Sequence, residues 1–127
     1  MPQNNHDILF TAHHHALLFS SIAKSVICRL DEEKGEILIR KAVRKYGQQR
    51  GKRMALRAQK NGHDLTFANY FAYGEWEVPK NEMDFKLIEK NPHARLNVFK
   101  CPWYVIWEEN NLLDYGKYFC REIDSAL

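Results

Sequence analysis

Apolar residues recur at three-to-four spacing through Ile8, Ala12, His15, Leu18 or Phe19, Ile22, Val26 and Leu30. That period is one face of an α-helix, so a first long helix is predicted from Asn5 to Leu30, with Asn5 or Asp7 able to cap its start. His14 and His15 fall on adjacent faces, His15 on the apolar one. Asp31 to Gly35 reads as a break. A second helix is predicted from about Glu36 to Asn61 on Ile39, Val43, Tyr46, Met54 and Ala58, with Gly62 as its stop. This helix also carries Gly47, Gly51 and Ala55 at a spacing of four. A glycine inside a helix costs about 1 kcal/mol against alanine. The row is therefore expected where another helix approaches closely, ahead of the alternative that a ligand reaches the backbone there.

The pattern then shortens. Leu65 to Tyr73 reads as a short helix, capped by Asp64 or Thr66 and ended by Gly74. Glu75 to Val78 alternates like the start of a strand closed by Pro79. Asp84–Lys90 and Ala94–Lys100 read as a hairpin with Phe85, Leu87, Leu96 and Val98 on one face. Asn91-Pro92-His93 is its turn, because proline cannot sit inside a paired strand. The hairpin runs into Cys101-Pro102, and proline is favoured at the first position of a helix. A break at Asn110-Asn111 and a stripe of Leu112, Tyr115, Phe119 and Ile123 follow, with Cys120 beside the stripe. The predicted class is α+β. Long N-terminal helices pack on a small antiparallel sheet of about three strands, followed by a C-terminal helix, in a single domain spanning residues 1–127.

Charge changes this picture at one place. Between Arg40 and Lys60 there are nine basic residues and no acidic one, which leaves 10 of the 19 basic residues and all 16 acidic ones elsewhere. One basic face is expected. Arg50 and Arg53 flank the small-residue row and could clamp a carboxylate bidentately. A solvated face ranks first for this run, an anion clamp second and nucleic acid a distant third. No stretch is long and apolar enough to cross a bilayer, and the first seven residues are polar rather than leader-like. A cytoplasmic protein with reduced thiols is the expectation, the more so because three cysteines cannot all pair within one chain.

The candidate chemistry centres on the cysteines. Cys-x-x-Cys, His-x-x-x-His and His-Glu-x-x-His are absent from the sequence, so neither a metal nor another cofactor is expected. Cys101 stands as the N-cap of the helix begun by Pro102, beside unpaired amides and the positive end of the helix dipole, where a thiol pKa falls. The competing reading is that Cys101 and Cys120 are small buried hydrophobes. A thiolate nucleophile would need an acid–base partner, for which His14, His15, His93, Glu108 and Asp124 are all open.

Segments across the chain then add up. They are His14-His15-Ala16-Leu17-Leu18-Phe19, Tyr46-Gly47-Gln48-Gln49-Arg50-Gly51-Lys52-Arg53-Met54, Tyr73-Gly74-Glu75-Trp76 and Cys101-Pro102-Trp103. Trp107 and the run from Tyr115 to Asp124 complete the set. In order and spacing the chain resembles the L-2-amino-thiazoline-4-carboxylic acid hydrolase family from about residue 8 to 127. The resemblance implies a hydrolase acting on a carbon–nitrogen bond of a cyclic amidine, opening a thiazoline ring to an N-carbamoyl amino acid. Its substrate is a small carboxylate. Cys101, His14, His15 and Cys120 match motif positions and are the catalytic candidates; Arg50, Arg53, Trp76 and Trp103 are the substrate-binding candidates. The family pattern continues past its Ile-Asp-x-Ala-Leu helix with a Gly-Phe-Asn-Pro-like segment and a last strand holding another cysteine, whereas the sequence given ends at Leu127. An uncovered sheet edge is therefore expected to recruit a partner, making a homo-oligomer. The alternative function is a module that binds a small anionic ligand without turnover.

Overall fold

A computed structural model describes residues 5–75, 81–90 and 93–124. Helix α1 spans Asn5–Leu30 and α2 spans Glu32–Lys60, so the chain reverses within the single residue Asp31. The Asp31 carboxylate accepts from the Lys34 N–H at 2.8 Å and caps α2. The predicted break at residues 31–35 is thus shorter than expected, and α2 begins at Glu32 rather than Glu36. Gly35 lies inside α2 for a packing reason. A Cβ there would sit 2.8 Å from the Ile27 Cα, so glycine lets the two helices touch just after the reversal.

Helix α2 ends where Gly62 takes a φ of +75°, a conformation that glycine adopts without steric penalty. The short helix α3, Phe67–Ala72, starts beside Thr66, whose hydroxyl accepts from the Asn69 N–H at 3.1 Å. Strands β1, Asp84–Lys90, and β2, His93–Lys100, form an antiparallel pair. Phe85 faces Val98 and Leu87 faces Leu96, which is the register the alternation predicts. Two strands are present among the described residues. The third expected strand falls largely on residues 76–80, outside them, and Glu75 lies in a bend.

Helix α4, Pro102–Glu109, follows Cys101 directly. Asn111 has a φ of 56° and turns the chain into α5, Leu113–Glu122. Helices α1, α2, α4 and α5 share one core. Three alanines of α1, Ala12, Ala16 and Ala23, make room there for Trp103, Trp107, Tyr118 and Phe119. Trp107 is 1% exposed, and its indole N–H donates to the Ala16 carbonyl at 2.9 Å. Its ring lies over Gly116, where any Cβ would overlap it. The bulk of Trp107 on α4 is matched by Ala16 on α1 and Gly116 on α5, which is how the helices come close enough to bury the indole.

Candidate functional site

The small-residue row of α2 does what its spacing predicts at Gly47. A Cβ there would collide with the backbone of α5's end, 2.9 Å from the Ile123 carbonyl carbon and 3.0 Å from the Glu122 oxygen. Close approach at this point brings the basic face of α2 against two carboxylates, Glu122 and Asp124. The arginines of the run are paired with carboxylates, while Lys41, Lys45, Lys52 and Lys60 are exposed, so the face is solvated as well as partly paired. Arg40 Nη2 meets Glu122 at 2.8 Å and Arg44 Nε at 2.9 Å. Arg53 grips Glu75 with Nε at 2.6 Å and Nη2 at 2.8 Å. Arg57 adds a bond to the Tyr73 carbonyl at 3.0 Å. An open groove of about 650 Å³ remains beside Arg40, Lys41, Arg44 and Lys45.

Arg50 is different. It is only 6% exposed, on the same α2 face as Gly47. Its Nη1 lies 3.6 Å from Asp124 Oδ1, an ion-pair distance longer than a charge-assisted hydrogen bond. Its guanidinium carbon stands 5.9 Å from the centre of the Tyr70 ring. Tyr70, carried by α3, donates its phenol O–H to the same Asp124 oxygen at 2.9 Å. Burial, with Asp124 close by, pushes the Tyr70 hydroxyl well above the ordinary tyrosine range, so it stays protonated and keeps donating. Three elements far apart in sequence thus meet at one half-open carboxylate, whose side chain is 35% exposed.

The two thiols lie alongside. Cys101 is the N-cap of α4 in extended conformation, half-buried against the core, but its side chain makes no capping hydrogen bond. Cys120 is exposed as a residue, yet desolvation of its sulfur pushes the thiol up to about 11, with the neighbouring Cys101 and Asp124 raising it further. At neutral pH Cys120 is a thiol, the opposite of an activated nucleophile.

The histidines separate. The Trp103 indole N–H donates to His15 Nδ1 at 2.9 Å. An indole nitrogen can only donate, so Nδ1 must accept and the imidazole proton sits on Nε2. Burial lowers the His15 pKa and holds that neutral form. Phe119 flanks the ring at 5.3 Å between centroids. His14 is exposed on the outer side of α1, its ring 4.4 Å from that of Phe10. Trp103 is 7% exposed and part of the core. Trp76 and the His93 side chain lie outside the described residues, and Glu108 is exposed on α4. Of the eight candidates, the structure brings Arg50 and Cys120 close to Asp124, puts Cys101 beside Cys120, sets His15 and Trp103 together, and commits Arg53 to Glu75. Tyr70 was missed by sequence reasoning: its helix is six residues of mostly apolar sequence, and only the fold joins it to residue 124. No group of three metal-ligating side chains occurs among the described residues, and no helix is long and apolar enough to cross a membrane.

Fold and site together define a small α+β domain in which a buried arginine and a tyrosine converge on one carboxylate beside two thiols. The chain belongs to the L-2-amino-thiazoline-4-carboxylic acid hydrolase family, whose sequence pattern matches residues 11–127. No curated protein and no solved structure matches it.

Proposed function

We propose that this protein opens the ring of a cyclic amidine that carries a carboxylate, of the L-2-amino-thiazoline-4-carboxylate type, giving an N-carbamoyl-cysteine type product. The observation that carries the reading is the Arg50–Tyr70–Asp124 cluster. Arg50, buried behind Asp124, supplies a permanent positive charge that favours an anionic substrate. Asp124 is the general base, and Tyr70 orients it. Water adds its oxygen to the C=N carbon while Asp124 takes the proton. Asp124 passes that proton to the ring nitrogen, and the tetrahedral carbon then collapses to the carbamoyl carbonyl as its hydroxyl proton moves to Asp124. An N-carbamoyl product keeps its bond to the ring nitrogen, so the C=N bond is hydrated and the bond that breaks is carbon–sulfur, which corrects the carbon–nitrogen cleavage expected from the resemblance. The sulfur leaves with the electron pair and takes the proton back from Asp124. Small-molecule carboxylates are the expected ligands, and nucleic acid is disfavoured because Arg40, Arg44, Arg50, Arg53 and Arg57 already face protein carboxylates.

Ring opening assayed by chromatography of the carbamoyl product tests this. Asp124→Asn is expected to lower kcat by about 10²-fold or more. Cys101→Ser is expected to leave it within about threefold, since water rather than a thiolate attacks. Full activity in Asp124→Asn, or binding of the thiazoline carboxylate with no product from the unaltered chain, overturns the proposal. Loss of turnover in Cys101→Ser moves the nucleophile to the thiolate.

A further inference from the structure

The outer face of α1 has the wrong chemistry for a solvated helix. Asp7, Phe10, Thr11, His14, Leu18, Ser21, Ile22, Ser25 and Arg29 are all exposed, and at about 100° per residue they share one side. Phe10, Leu18 and Ile22 on this side are 58%, 64% and 55% exposed. From Ile8 to Ala23 the sequence holds no Asp, Glu, Lys or Arg. Lys24 lies about 100° round from the centre of the face. The Phe10 and His14 rings pack edge-on. An uncharged, partly apolar strip of this length is expected to mark a contact surface.

We infer that this face binds a second copy of the chain, antiparallel, about a two-fold axis through Leu18. The argument is its charge placement. Asp7 and Arg29 are the only charges on the strip, one at each end, and each lies eleven residues from Leu18. A two-fold axis at Leu18 therefore sets each Asp7 against the partner's Arg29, Thr11 against Ser25, His14 against Ile22, and Leu18 against itself. An isologous interface demands such self-complementarity. A lipid surface fits less well, because the strip lacks the row of cations that holds anionic headgroups. Its length is about 33 Å at 1.5 Å per residue. At a contact width of about 10 Å it buries about 330 Å² per partner, less than half the standard interface, so the dimer is weak and reversible.

Sedimentation equilibrium from about 5 μM to about 500 μM tests this in the affinity range such an interface allows. The unaltered chain is expected to show a monomer–dimer equilibrium. Leu18→Glu is expected to raise the dissociation constant at least about tenfold by opposing two carboxylates at the axis. Asp7→Arg and Arg29→Asp each weaken the dimer, and the two together restore it. All these positions are exposed, and circular dichroism of each variant checks that α1 is intact. A monomer at every concentration, a dimer indifferent to Leu18→Glu, or a double reversal that fails to restore association overturns the inference. So does a strip that binds anionic vesicles in a Leu18-dependent way without self-association, which would make it a membrane face.

Discussion

Glu122 and Asp124 stand two residues apart at the end of α5, and both face arginines of α2. Their settings are inverted. The Glu122 side chain is 4% exposed, but its partners Arg40 and Arg44 are 38% and 56% exposed. The carboxylate is covered by a thin layer of wet guanidinium, with short bonds on both oxygens. The Arg44 hydrogen bond, with Arg40 behind it, holds the Glu122 carboxyl below the ordinary range against the opposing effect of desolvation. At Asp124 the arginine is buried, 7% exposed at its side chain, and the carboxylate is open at 35%. A covered carboxylate under exposed cations has its lone pairs committed and serves as a clamp. An open carboxylate over a buried cation has a free approach and a fixed charge behind it, which is the arrangement chemistry can use.

The sharpest way to break this contrast is to neutralise each carboxylate in turn. Asp124→Asn should lower turnover by about 10²-fold or more and lower the thermal midpoint as well, because the buried Arg50 loses its counter-charge. Glu122→Gln should lower the midpoint alone, through loss of charge against both arginines, while kcat stays within about twofold. Parallel unfolding and turnover measurements decide it. If Glu122→Gln abolishes turnover without destabilising the fold, the roles assigned to the two carboxylates are exchanged.

Gly47 joins the two settings, because it is where α2 touches the backbone between them. Gly47→Ala gains about 1 kcal/mol of helix propensity. It loses more, because the obstructing atoms belong to the Ile123 and Glu122 backbone and cannot swing aside as a side chain could. A net destabilisation of about 1–3 kcal/mol by urea unfolding is expected from overpacking. Turnover should fall with it, since α5's end and Asp124 must move. A variant as stable and active as the unaltered chain would show that the contact at residue 47 positions neither carboxylate.

Much of this frame was legible from local chemistry. The period of α1 gave its limits, the alternation of Phe85, Leu87, Leu96 and Val98 gave the hairpin register, and Cys101-Pro102 gave the start of α4. Gly35 misled because a glycine near a polar turn reads as a breaker, whereas here it serves the contact with Ile27. The site was only half legible. Arg50 stood out by type and neighbourhood, but its partners are 20 and 74 positions away in sequence, at Tyr70 and Asp124, and no local pattern encodes such pairings. The same holds for Arg53, whose match with the family motif suggested a substrate clamp and whose bidentate bond to Glu75 is set by how α3 folds back. Cys101 had its place predicted, yet an N-cap position does not ensure that the sulfur meets the amides.

The smallest expected effect tests the contrast without using turnover. Cys120 has its thiol raised to about 11 by desolvation first, then by Cys101 and then by Asp124; Glu122 is not among the causes. A raised thiol is protonated below its ordinary value of 9.0 and ionises in the fold only as pH climbs toward 11, so alkylation of Cys120, followed by peptide mass spectrometry, should accelerate late. The sign for stability follows: an unfolded chain releases this proton earlier, so the contribution of Cys120 is complete below pH 9 and lost as pH rises toward 11. Removing the Asp124 charge should move the alkylation profile down by a fraction of a pH unit, because desolvation remains. Glu122→Gln should not move it. Equal shifts from both variants would mean that Cys120 senses the net charge of α5's end rather than a carboxylate beside it, and the two settings would then be electrostatically one.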